Sequence, residues 1–327
     1  MAGSIRWGIL GTGGIAHLQT TDLIGNGFTV TAVGSRSQAS ADAFAAEFAI
    51  PTAHGSYEAL VADPDVDVIY VSTPHLFHAA NALLALRAGK HVLLEKPFTL
   101  TAAEATEVVE TARANRLVVL EAMWTRYLPH MLRIREIIAA GTLGDVRTLI
   151  ADHNQKLSRD PQHRVNNPEL GGGALLDLGI YPVSFAFDLF GLPSTVQALA
   201  AKTETGVDRQ TAIVFGYGEG QQALLHAALD ARGPSTAVII GTEGRIEIDP
   251  VWYAPTTFTV FDSEDAIIER FEQKITHRGM QFQAWELERL IEAGQTAGEI
   301  LPPEETVQIM ETLDEIRRQI GLTYPGE

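Results

Sequence analysis

A chain of 327 residues exceeds what one hydrophobic core usually organises, so two domains are expected. With 24 basic against 41 acidic residues, the formal net charge of −17 argues against nucleic acid or an anionic membrane as the main partner, since both select a basic footprint. The absence of cysteine excludes disulfides, thiolate catalysis and cysteine-ligated metals, and it fits a reducing compartment.

Taken in order, the first third alternates strand and helix signals. The start, Met1–Arg6, carries no extended apolar stretch, and no later uninterrupted run approaches the roughly 18 apolar residues of a membrane span, so a cytoplasmic protein is expected. Ile5–Leu10 is an apolar run that meets Gly11-Thr12-Gly13-Gly14, after which Ile15–Ile24 reads as helix. Phe28–Val33 follows as a strand, Ala39–Phe48 as a helix, Val66–Val71 as a buried strand and Leu76–Ala88 as a helix closed by Gly89. Val92–Leu94 is a further strand, Thr101-Ala102-Ala103-Glu104 a capping box opening a helix to Ala114, and Leu117–Leu120 the last strand. Apolar strands separated by helices predict a parallel sheet, so residues 1–122 form a doubly wound, Rossmann-type domain.

Beyond Trp124 the rhythm changes. A helix through Leu132–Ala140 gives way to eight strand-like runs between Val146 and Phe271. Gly218-Glu219-Gly220 and Thr242-Glu243-Gly244 are hairpin signals, so this sheet is expected to be mostly antiparallel. Helices through Phe282–Ala293 and Glu304–Ile320 close the chain, and residues 123–327 are assigned to one α/β domain for substrate binding and oligomerisation.

Gly11-Thr12-Gly13-Gly14-Ile15-Ala16 matches G-x-G-x-x-G/A between a strand and a helix, the context in which that pattern binds a dinucleotide. Gly11 permits the tight turn, Gly13 and Gly14 let a pyrophosphate approach, and Ile15 opens a helix whose amides face the anion. About twenty residues further on, an acid would read the 2′-hydroxyl of NAD. Here the chain has Ser35-Arg36-Ser37 instead, and an arginine fork with flanking hydroxyls suits the 2′-phosphate of NADP, with NAD the weaker fit.

Ligands of open parallel sheets lie outside the carboxyl ends of the strands. That rule selects Thr73, Pro74, His75 and His78 after one strand, Glu95 and Lys96 after the next, and Trp124 and Arg126 after the last. All but His75 are taken as cofactor contacts, while Lys96 can also polarise a substrate oxygen. Asp152-His153-Asn154 has no second ligand cluster at useful spacing, so no metal is expected.

The glycine turn, Glu95-Lys96-Pro97 and Gly171-Gly172-Gly173-Ala174-Leu175-Leu176-Asp177-Leu178-Gly179-Ile180-Tyr181 together resemble the glucose–fructose oxidoreductase/inositol dehydrogenase (Gfo/Idh/MocA) family. The run Met123–Tyr127 is most similar to the branch of dimeric dihydrodiol dehydrogenases and NADP-dependent D-xylose dehydrogenases. The resemblance implies an active-site lysine at Lys96, the acid of the glycine-rich helix motif at Asp177, and a dimer or tetramer formed through the C-terminal sheet. Many members carry histidine where this chain has Tyr181, and asparagine where it has His75.

On a regular helix Asp177 and Tyr181 share one face. Tyrosine titrates near pH ~10, and a neighbouring Lys96 ammonium would favour tyrosinate, making Tyr181 a usable acid/base. Tyr181 would take the alcohol proton, Lys96 would hold the developing alkoxide, and Asp177 would orient a substrate hydroxyl or the lysine. Trp124, His153 and Arg164 are further substrate-pocket candidates. The expected activity is NADP(H)-dependent hydride transfer on a sugar, polyol or cyclic diol by a homodimer or higher homo-oligomer. The alternatives are an NAD-dependent glycoside hydrolase with tightly held cofactor, and a nucleotide-sensing regulator on the same scaffold.

Overall fold

A computed structural model describes residues 5–325, which form two compact units. The first contains β1 (Arg6–Leu10), α1 (Gly14–Gly25), β2 (Thr29–Gly34), α2 (Gln38–Phe48), β3 (Thr52–His54) and α3 (Tyr57–Val61). It continues with β4 (Val68–Val71), α4 (His78–Arg87), β5 (His91–Glu95), α5 (Ala102–Asn115) and β6 (Val119–Ala122). All strand pairs are parallel, in the order β3-β2-β1-β4-β5-β6. This is a Rossmann sheet, with its strand order reversing between β1 and β4. Helices cover both faces, which is why β4 and most of β1 and β5 are uninterrupted apolar runs and fully buried. The capping box forms as expected, Thr101 accepting from the Glu104 amide and Glu104 from the Thr101 amide. The strand β3 and helix α3 carried no sequence signal, because three and five residues are too few to show a period.

The second unit contains α6 (Pro129–Ala139), β7 (Val146–Asn154), a π-turn over Leu175–Gly179 that runs into α7 (Ile180–Phe190), and β8 (Thr195–Lys202). Then come β9 (Asp208–Gly216), β10 (Gln222–Ala228), β11 (Ala237–Gly241), β12 (Gly244–Ile248), β13 (Phe258–Asp262) and β14 (Ile267–Phe271). The sheet order is β14-β13-β12-β11-β7-β10-β9-β8. Both expected hairpins are present, and among the described residues the single parallel pair of this sheet is β7 with β10. On β7 and β10 the residues alternate in burial, so one face of the sheet packs under α7 and the π-turn. On the other face Ile150, Val214 and Leu224 are 46%, 43% and 42% exposed, and Leu224 stands in register with both of the others.

The helical stretch Pro168–Phe190 is long and apolar enough to cross a membrane by length and composition, but 83% of its most apolar window is buried inside the protein. It is a core helix of the second unit. Val165, Ala174, Leu178, Ala227 and Leu229 form one buried cluster on it, with Leu157 packed against them.

The expected boundary near Ala122 needs one correction. Residues 276–307, with α8 (Gln281–Glu292), belong to the first unit, and the second is 125–275 with 308–327. The dividing point falls inside α9 (Pro303–Ile320). The anchors of α8 are specific: Gln283 donates to Gln19 at 3.0 Å, and Asp22 accepts from the Met280 amide at 2.7 Å and the Arg278 amide at 3.3 Å. Trp7 Nε1 donates to Glu288 at 2.8 Å. Helical period announces a buried face but not the partner that buries it, so the return of this segment was invisible in the sequence.

Candidate active site

In the first unit the glycine turn has the geometry its sequence demands. Gly11 sits at φ +105°, a backbone region that L side chains rarely adopt, and its amide donates to the Gly34 carbonyl at 2.9 Å. Gly13 and Gly14 are exposed, and a Cβ on either would meet nothing within 4 Å. Beyond them, α1 starts without a side-chain cap and without an acid in its first turn, so its amides and positive dipole end face open space. That arrangement fits a dinucleotide pyrophosphate. Ile15 is half-buried in the first turn.

At the carboxyl end of β2, Ser35 is buried and its amide donates to the His54 carbonyl at 3.0 Å. Arg36 is exposed and hydrogen-bonds Tyr57, whose hydroxyl burial pushes above its usual pKa. Ser37 caps α2 by accepting from the Ser40 amide, which leaves its own hydroxyl proton to donate.

The next two loops are tied together by His78. Its Nε2 lies 2.8 Å from the Thr73 carbonyl and its Nδ1 2.8 Å from the Pro97 carbonyl. Burial drives its pKa down to about 4, and the neutral ring has one N–H to give to one carbonyl at a time. Thr73 accepts from Asn81 at 3.1 Å; Pro74 is exposed, and His75 is buried with its ring 5.6 Å from that of His78. Glu95 is buried, accepting from the Tyr70 hydroxyl at 2.5 Å and the Lys96 amide at 3.2 Å. Lys96 itself is half-buried beyond the end of β5. Trp124 is buried, with the Arg278 guanidinium 5.7 Å above its ring.

Arg126 departs from its expected place at the cofactor. Its side chain is 2% exposed in the second unit, donating to Ser184 at 3.0 Å and to Asp188 at 2.9 Å. Asp188 also takes two bonds from Arg135, both 2.8 Å. The arginine therefore anchors α7 in the interior, and spacing from a strand end could not reveal that its side chain turns inward.

The second unit brings together the other candidates. Asp177, buried in the π-turn, accepts two bonds from the exposed Arg164, at 3.1 and 3.2 Å. Tyr181 is 8% exposed, with its ring 4.9 Å from that of His153 and 5.3 Å from that of Tyr253. His153 stacks on Tyr253 at 3.7 Å and receives a hydrogen bond from Gln155 Nε2 at 2.8 Å. Tyr253 carried no motif and was not anticipated; burial raises its pKa, so at neutral pH it is a protonated donor and an aromatic wall. Among the described residues no three His, Cys, Asp or Glu side chains are grouped to hold a metal.

Residues 5–123 match the oxidoreductase family with an NAD-binding Rossmann fold, and residues 131–247 match the GFO/IDH/MocA C-terminal domain. The chain belongs to the Gfo/Idh/MocA oxidoreductase family. D-xylose 1-dehydrogenase (NADP(+)) of Hypocrea jecorina is 37% identical over 98% of this chain and 93% of its own. Trans-1,2-dihydrobenzene-1,2-diol dehydrogenase of Mus musculus is 35% identical over 99% of both chains. A 3-ketoreductase from Actinomadura kijaniata, solved with NADP and TDP-benzene, covers 97% of this chain and 98% of its own at a TM-score of 0.85. At 24% identity that last likeness shows the fold alone. This Gfo/Idh/MocA member thus has its glycine turn, Lys96 and Trp124 in the first unit, and Asp177, Tyr181, His153 and Arg164 in the second.

Proposed function

We propose that this oxidoreductase uses NADP(H) to interconvert an alcohol and a carbonyl on a sugar, polyol or cyclic diol. The observation that carries the reading is the carboxyl edge of the first unit, where an open, uncapped glycine turn is followed by exposed Arg36 in place of an acid. The names of the full-length relatives, an NADP-linked D-xylose dehydrogenase and dihydrodiol dehydrogenases, support the substrate class.

Gly13, Gly14 and the first amides of α1 would hold the pyrophosphate, and Arg36, with the hydroxyls of Ser35 and Ser37, the 2′-phosphate. When bound, the nicotinamide supplies the redox chemistry by accepting or returning a hydride. The chain's residues move the proton and hold the charge. In the oxidative direction Tyr181 takes the proton of the reacting hydroxyl, and the Lys96 ammonium stabilises the oxygen as it becomes negative. Asp177 holds Arg164, whose outward donors are then free to orient further hydroxyls. Tyr253 and His153 wall the ring of Tyr181. We further propose a cytoplasmic homodimer joined through the open sheet face that carries Ile150, Val214 and Leu224.

The test is a screen of NADP⁺ and NAD⁺ reduction over D-xylose, other aldoses, inositols, anhydrosugars and a dihydrodiol. Arg36→Glu is expected to weaken NADP(H) far more than NAD(H), because it adds repulsion while deleting a donor. Equal affinities of the unmodified protein for the two cofactors would contradict the assignment.

A further inference from the structure

We propose that Asp208 is a positioning residue, which reaches from β9 to hold the start of the helical stretch carrying Asp177 and Tyr181 and so sets where those side chains act. The inference rests on the roles proposed above for Asp177 and Tyr181. Asp208 is fully buried, and no ion pair reaches it among the described residues. A buried carboxylate without a cation is costly, so its hydrogen bonds must account for its presence. They do so at one oxygen: Oδ2 accepts from the Leu175 amide at 2.7 Å and from the Thr211 hydroxyl at 2.7 Å. Burial raises the pKa to about 6, which still leaves the group mostly ionised at neutrality and facing the positive end of the helix.

Two features show why this stretch needs an anchor from outside. The residue at the N-cap position of the π-turn is Ala174, which offers no side-chain acceptor. Asp208 supplies from another strand the acceptor that a serine or aspartate would supply locally. Further along, Pro182 follows Tyr181 directly and lacks an amide donor, so the helix's own ladder is interrupted beside the proposed acid/base. A π-turn flanked by such a break has little internal register of its own.

The glycine run then acquires a physical meaning. A Cβ on Gly172 would lie 2.7 Å from the Arg164 carbonyl and 2.8 Å from that of Val165, in the loop that presents Arg164 to Asp177. Gly173, at φ +128°, is where a Cβ would overlap Asp208 Oδ1. The loop and the carboxylate thus seat directly on backbone, one residue apart, just ahead of the turn. Moving either displaces Asp177, two residues past Leu175, and Tyr181, four further on.

The experiment uses full-length Asp208→Ala, Asp208→Asn and Thr211→Val, with single-turnover reduction of NADP⁺ by the most active substrate of the screen. Misplacement by about 1 Å is worth on the order of 10²-fold in rate. Asp208→Ala is expected to lose about that much at saturation, with KM and NADPH affinity within about threefold of the parent and the inflection of the pH–rate profile displaced. Asp208→Asn, which keeps an acceptor, should recover at least about tenfold of the loss, and Thr211→Val should fall between. Amide hydrogen exchange over residues 174–181 is expected to quicken in the same order. Should Asp208→Ala not fold, the other two variants carry the same comparison. Unchanged exchange in this segment, unchanged turnover despite faster exchange, or a deficit that disappears when the variant is cooled until fully folded would overturn the proposal. Tyr181→Phe in the same series separates the two readings. If it turns over normally, the catalytic assignment has failed, whereas a dead Tyr181→Phe beside a normal Asp208→Ala defeats the positioning role alone.

Discussion

The Arg126 guanidinium ties its loop to α7 through Ser184 and Asp188. Its place after β6 made it a cofactor contact, yet its guanidinium lies at 2% exposure between Ser184 and Asp188. In Arg126→Met the stem is replaced by a chain of similar length, and the bonds to Ser184 and Asp188 are lost. Breaking a buried pair costs about 3–5 kcal/mol when the remaining charge is left alone. Asp188 keeps its two bonds from Arg135, so the lower part of that range applies, about 3–4 kcal/mol with the unsatisfied Ser184 hydroxyl included. With a urea slope near 3 kcal/mol/M, the midpoint should fall by about 1 M. NADPH affinity, followed by fluorescence on the folded variant, should stay within about twofold, since the lost bonds lie in the second unit. A variant of parental stability that binds NADPH tenfold more weakly would refute this reading and return Arg126 to the cofactor.

Stability should fall on mild acidification. Burial holds both His78 and His130 down to about 4, so their neutral forms favour folding fully above the unfolded value near 6.5, and that contribution is lost as pH drops from 6.5 to 4. Asp208, raised to about 6, acts with the opposite sign, its contribution present below about 4 and lost as pH rises through 6, so it offsets part of the decline. Urea titrations at pH 7.5, 6, 5 and 4.5 check the sum, and His130→Gln should flatten the curve; a stability that rises toward pH 4.5 in the unmodified protein would contradict the two-histidine account. For assembly, light scattering is expected to give a dimer mass, and Leu224→Glu should shift it toward monomer by placing a charge between Ile150 and Val214 in the sheet register. A concentration-independent monomer in the unmodified protein refutes the dimer.

Much of the first unit was legible because a parallel sheet covered on both faces writes itself as apolar runs, and because its glycine turn and capping box are local devices. The strands of the second unit were legible for the same reason of period, down to both hairpins. What stayed hidden depends on partners distant in sequence. The parallel pairing of β7 with β10, the docking of α8 through Asp22 and Gln19, and the burial of Arg126 against Asp188 leave no mark on a periodicity. The same holds for the site. Lys96, Asp177 and Tyr181 stood out through motif, whereas Tyr253 and Asp208 have ordinary neighbours in sequence and become visible only as a ring stacked on His153 and a carboxylate against Gly173. The spacing of Asp177 and Tyr181 suggests one face of a regular helix, whereas the stretch begins as a π-turn over Leu175–Gly179 and becomes α-helical only from Ile180.

In the proposed NADP-linked oxidation Tyr181 moves the proton and Lys96 holds the charge. Single-turnover NADP⁺ reduction with the best substrate of the screen, measured for Tyr181→Phe, Lys96→Met and the double variant beside NADPH affinity, tests it most directly. Each single variant is expected to fold, bind NADPH and lose about 10² to 10⁴ in rate, with the double variant little worse than either. A Tyr181→Phe variant that reacts at the parental rate would rule out Tyr181 as the base and turn attention to His153, while losses that multiply would show two independent roles in place of one coupled pair.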